Sequence, residues 1–132
     1  GLPAVLYLFD VADGRLIWQR PQPEGSRLAA CVDIRWTGRP GRQEILVYSR
    51  GPGQPAALYD GRGEIIDALD VPAGPADPAT GLPPPCYGYR ADVWGDSRDE
   101  VIFAGGSGCR IYANTQPLAV PTLYNNTLYP GM

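Results

Sequence analysis

Asp92, Asp96 and Glu100 stand at the first, fifth and ninth positions of the segment Asp92-Val93-Trp94-Gly95-Asp96-Ser97-Arg98-Asp99-Glu100, which runs straight into Val101-Ile102. A tight, Gly-containing turn points alternate side chains toward one centre. Carboxylate oxygens gathered in that way suit a hard cation such as Ca2+, which takes about six to eight oxygen ligands in flexible geometry. A calcium loop is therefore the leading local reading. The same pattern also describes an acidic turn whose Asp side chains bond their own backbone.

Other chemistry is restricted by what the chain lacks. Its 11 basic residues are all arginine, and it has no Lys and no His. The commonest general base, the Schiff-base amine and the usual zinc ligand are thus missing together. Chemistry in this segment must rest on carboxylates, Tyr, Arg or a bound metal. The net charge of −3 argues against nucleic acid, which calls for clustered positive charge. Cys31, Cys86 and Cys109 share no metal-like spacing. Buried thiols are the expectation, with one disulfide and one free thiol as the alternative in a secreted protein.

The elements that must carry this loop are short strands. With 17 Gly and 15 Pro among 132 residues, and no apolar run of membrane-spanning length, the chain reads as all-β with many turns and no membrane segment. It opens on Gly1 without a secretory-type signal, so its N-terminus is expected to be internal to a longer protein. A two-part unit recurs along it. Val32-Asp33-Ile34-Arg35-Trp36-Thr37-Gly38 leads to Glu44-Ile45-Leu46-Val47-Tyr48, as Asp92 to Asp99 leads to Glu100-Val101-Ile102-Phe103. The second part is an aromatic strand, a Gly turn and a return strand, seen at Leu6 to Trp18 and again at Ala57 to Ile66, with a partial copy at Cys109 to Asn114. Gly supplies the positive φ that such tight turns need.

Phe9, Tyr59 and Tyr112 recur at intervals of about fifty residues, a period that suits a four-stranded propeller blade. The chain is expected to be part of a β-propeller, about two to three four-stranded antiparallel blades of a larger ring. Its parts would be a blade end at 1–28, a blade at 29–71, a Pro-rich surface insert at 72–85, a blade at 86–116 and a tail at 117–132.

The order Ala91 to Ile102, then Arg110-Ile111-Tyr112-Ala113-Asn114-Thr115, then Pro121-Thr122-Leu123-Tyr124-Asn125-Asn126 resembles the bacterial propeller-fold rhamnogalacturonan lyases, polysaccharide lyase family eleven. The resemblance covers the last third of the chain. Earlier residues share only a generic repeat that integrin-like calcium propellers also have. Trp94 departs from the pattern at the third loop position, where a calcium repeat offers Asp or Asn. In the earlier loop Arg35 and Thr37 replace ligands, which makes Asp33 a structural relic. The resemblance implies Ca2+ at Asp92, Asp96 and Glu100, supported by Asp99 and the backbone carbonyl of Arg98.

It also implies an extracellular, pectin-degrading parent that cleaves rhamnogalacturonan by β-elimination at galacturonate. Its partners would be the polysaccharide and the remaining blades of the ring, and the segment alone would be inactive. Removing the C5 proton requires a cation against the uronate carboxylate and a base. Nothing marks out a base here, so it is expected on other blades. Arg110, Tyr124, Asn125 and Asn126 are the candidates for sugar contact, since amides and guanidinium suit hydroxyls and carboxylates. Trp36, Trp94 and Tyr129 offer flat faces, although both tryptophans are expected to pack between sheets. The competing reading is a non-catalytic calcium-repeat propeller module that binds carbohydrate or protein.

Overall fold

The computed structural model describes residues 4–22, 30–49, 55–106 and 108–118. The architecture is all-β. The strands are β1 (Val5–Phe9), β2 (Leu16–Pro21), β3 (Ala30–Ile34), β4 (Glu44–Tyr48), β5 (Ala56–Tyr59), β6 (Ile65–Leu69), β7 (Cys86–Ala91), β8 (Glu100–Gly105) and β9 (Gly108–Tyr112). They form three antiparallel meanders, β1-β2, β3-β4-β5-β6 and β7-β8-β9. The described residues do not close into a ring. Nor do they include a helix long and apolar enough to cross a membrane.

Two hairpins share one design. In the β1–β2 turn the Asp10 amide bonds the Arg15 carbonyl, and in the β5–β6 turn the Asp60 amide bonds the Glu64 carbonyl. Each Asp also folds its carboxylate back onto the turn, Asp10 accepting the Ala12 amide and Asp60 those of Arg62 and Glu64. This is the Asx-type chemistry that makes Asp favourable in such turns. A register shift follows in both, at Leu8/Phe9 and at Leu58/Tyr59. Gly63, at φ 76°, lies under the indole of Trp18, where a Cβ would stand 2.8 Å from the ring. Arg20 Nε and Trp18 Nε1 donate to the carbonyls of Gly63 and Gly61, fastening the first sheet to the second.

The sheets stack face to face. Leu6 and Trp18 meet Val47 and Tyr59 between the first and second sheets. On the opposite side of the second sheet, Ile34, Leu46, Tyr48 and Leu58 pack with Cys86, Val101 and Phe103 of the third. Each large apolar side chain fully buried there contributes about 1.5–3 kcal/mol. Burial on both sides explains the continuous apolar run Ile45-Leu46-Val47-Tyr48 in β4, where alternation would mark a half-buried strand. The outward faces of the outer sheets stay uncovered among the described residues. Tyr7 and Phe9 are about half exposed on one side, and Tyr89 and Ile111 on the other, where they flank Ile102 in a cross-strand row.

Of the three thiols expected to be buried, only Cys86 is; Cys31 and Cys109 are exposed, and all three are free. Alternation accounts for this, because Cys31 sits between the inward-facing positions of β3 and Cys109 lies on an outer strand. Residues 72–85 connect the second and third sheets without strand structure.

Candidate functional site

The loop Asp92–Asp99 joins β7 to β8 and carries Asp92, Asp96, Arg98 and Asp99 of the expected calcium ligands, with Glu100 opening β8. Their carboxylates turn to different partners. Asp92 Oδ1 accepts the amides of Gly95 (2.7 Å) and Asp96 (3.1 Å), and Oδ2 accepts that of Ser97 (3.0 Å). Glu100 is buried at the first position of β8, where Oε2 accepts the amides of Val93 (2.7 Å) and Trp94 (3.1 Å). Five loop N–H groups are thus satisfied by two side chains. This is how a short irregular segment meets its backbone hydrogen-bonding demand without a neighbouring strand.

Asp96 and Asp99 face guanidinium groups instead. Asp96 accepts the amide of Arg98 at 2.9 Å and pairs with Nε and Nη2 of the same residue. The Arg98 hydrogen bonds hold the Asp96 carboxyl below its ordinary value, against the upward push of burial. Arg98 Nη1 continues to the Gln116 carbonyl at 2.7 Å. Asp99 is also buried. Its Oδ2 accepts the Arg35 amide (2.9 Å) and Arg90 Nη1 (3.1 Å), its Oδ1 faces Arg35 Nη2 (3.4 Å), and its own amide donates to the Arg35 carbonyl. Burial alone would raise the Asp99 carboxyl; the Arg35 amide and the two guanidiniums outweigh it and leave the group below its ordinary value. Arg90 reaches on to Asp33 at 2.9 Å, so Asp33 now takes part in joining the second and third sheets.

The loop is held closed by its own cation, Arg98. Among the described residues no three His, Cys, Asp or Glu side chains stand together as metal ligands. As arranged, the carboxylates fit a loop that binds its own backbone and arginines.

The earlier copy of the loop uses the same device. Glu44, buried at the start of β4, accepts the Thr37 hydroxyl at 2.6 Å and the Thr37 amide at 3.3 Å. A buried glutamate at the first position of the second strand therefore anchors the preceding loop in both sheets. Gly38, at φ 66°, lets Arg98 cross this earlier loop, because a Cβ there would stand 2.8 Å from Arg98 Cγ.

The tryptophans differ. Trp36 is buried and donates to Asp67 at 3.2 Å, as its expected packing between sheets requires. Trp94 was expected to pack likewise and does not: it is 76% exposed. Glu100 occupies the buried position beneath the loop and pins the Trp94 amide, which leaves the indole at the crest. Arg110 lies exposed in β9, paired in register with Phe103. Tyr124, Asn125, Asn126 and Tyr129 lie outside the described residues. Sequence reasoning missed Arg35 and Arg90, the residues that position Asp99; no local signal ties Asp99 to a residue as remote as Arg35. No protein-family model, no curated protein and no solved structure matches this chain.

Proposed function

We propose that the chain forms consecutive blades of a β-propeller belonging to an extracellular rhamnogalacturonan lyase. The observation that carries the propeller reading is the central sheet. It is covered on both faces by neighbouring meanders, while the outer meanders present half-exposed Tyr7, Phe9, Tyr89 and Ile111. Contiguous apolar faces of this kind are surfaces for partners, and further blades of the ring are the partners that the stacking geometry fits.

The lyase reading adds the loop whose residues carry the family resemblance. In β-elimination at galacturonate, a cation neutralises the uronate carboxylate while a base removes the C5 proton. Arginine is this chain's own means of meeting the first need. With no Lys or His in the chain, the base belongs to other blades of the proposed ring. Calcium at Asp92, Asp96 and Glu100 is part of the proposal. It requires Arg98 to leave Asp96 and the loop amides to release Asp92 and Glu100.

A second reading is favoured by the commitment of Asp92 and Glu100 to backbone amides. On that reading the loop is a structural joint in a non-catalytic propeller module that binds carbohydrate or protein. Incubating the intact protein with rhamnogalacturonan and following the ultraviolet absorbance of unsaturated uronide separates the two. Product formation supports the lyase. Binding without product supports the module.

A further inference from the structure

A cleft of about 460 Å³ opens beside the acidic loop, where the β3–β4 loop, the β5–β6 turn and the segment after β9 meet. This volume lies within the range of small-ligand sites. Three arginines from two separate loops, Arg39, Arg42 and Arg62, stand on its rim. Its wall also carries Glu44, Asp60 and Asp67, and the commitments of the two sets differ.

Each acid is bound inward. Glu44 is taken by Thr37, Asp67 by the indole N–H of Trp36, and Asp60 by the amides of Arg62 and Glu64. The guanidiniums of Arg39, Arg42 and Arg62, in contrast, make no hydrogen bond or ion pair with any described residue. Their field is nevertheless felt in the cleft. The Asp60 carboxyl is held below its ordinary value first by the Glu64 amide, and the charges of Arg62 and Arg42 add to the effect.

One wall is fixed. Asn114 donates to the Trp36 carbonyl at 3.1 Å and accepts the Gln116 amide at 2.9 Å. Gln43 and Gln116 add side-chain amides to the lining, and Ile66 adds an apolar surface.

We propose that this cleft is a binding subsite for the carboxylate of an acidic sugar unit, separate from the loop Asp92–Glu100. Guanidinium presents a planar fork that matches a carboxylate in two-point geometry. The amides suit ring hydroxyls, and an apolar patch suits the C–H face of a pyranose. The carboxylate chemistry stands on the cleft itself. The choice of a sugar acid as its carrier rests on the polysaccharide reading above.

The test uses the intact protein, with trigalacturonate as probe and a neutral trisaccharide and inorganic phosphate as controls, all titrated by calorimetry. Trigalacturonate should bind measurably, the neutral sugar far more weakly, and R42A/R62A should weaken trigalacturonate by about tenfold or more. Both arginines are exposed, so the double variant should keep the wild-type unfolding midpoint. Equal binding of the neutral sugar, or phosphate binding as tightly as the uronide, would overturn the assignment. So would an unchanged affinity in R42A/R62A. The outcomes also separate this proposal from the lyase reading. Arginine-dependent uronide binding in a protein that forms no unsaturated product sustains the subsite and removes the lyase. Product formation with a KM untouched by R42A/R62A does the reverse.

Discussion

Replacing Asp99 by Ala should loosen the junction between the second and third sheets at a cost of about 3 kcal/mol. The figure follows from its partners. The Arg35 amide loses an ionised acceptor at 2.9 Å, which accounts for about 1.5–3 kcal/mol. The guanidiniums of Arg35 and Arg90 are about half and a third exposed, so water takes them up and each adds less than about 1 kcal/mol. Asp99→Asn keeps one oxygen for the Arg35 amide but gives up the charge and turns an NH2 donor toward the half-exposed Arg35 guanidinium, so it should cost about 1–2 kcal/mol, less than D99A. Urea unfolding of the intact protein, followed through tryptophan fluorescence, to which buried Trp18 and Trp36 contribute, measures both. A loss below about 1 kcal/mol for D99A would refute the reasoning. Equal losses for D99A and D99N would refute its division between backbone and guanidinium partners.

The same groups set an acid limit. Asp96 and Asp99 hold their protons more weakly folded than unfolded, so their stabilisation is complete above the ordinary value of 3.8 and drains away as pH falls through the lower folded values. Unfolding midpoints should therefore fall steeply below about pH 4 in the wild type and less steeply in D99N. Gly63→Ala should cost about 2–4 kcal/mol, combining left-handed strain with a Cβ driven into the Trp18 ring; an unchanged urea midpoint would contradict the packing described. Ser97 holds φ 72° without being glycine, so Ser97→Gly should stabilise by about 0.5–1 kcal/mol. Thermal unfolding checks this, and a lowered midpoint would mean that the Ser97 side chain contributes more than the strain costs.

The parts of the fold legible in the sequence are those in which residues close in the chain decide the outcome. Asp10 to Gly14 and Asp60 to Gly63 announce their turns because the Asp carboxylate and the Gly conformation act within a few residues. The apolar run in β4 announces a strand, and the packing of the neighbouring sheets shows that it is buried on both sides. The acidic loop was legible as a loop, but its carboxylates were not legible as ligands or backbone acceptors, since Asp92 and Glu100 are suited to both. What decided the described arrangement is remote or conformational: Arg98 folding back on Asp96, and Arg35 arriving at Asp99 from another sheet. Trp94 misled because a tryptophan near a turn offers a large apolar surface, yet the buried position beneath the loop belongs to Glu100. The arginine cleft is not legible in the sequence because Arg39 and Arg42, Arg62, and Asn114 come from three separate segments that meet only once the second and third sheets have packed.

Lyase activity on an acidic polysaccharide is the proposed function of these sheets. The most direct measurement is the ultraviolet absorbance of unsaturated uronide while the intact protein is incubated with rhamnogalacturonan, with and without a calcium chelator. The account predicts a rise that the chelator abolishes and added calcium restores, with restoration failing in D92N/D96N/E100Q. A folded, uronide-binding protein that gives no rise in any arm would contradict it.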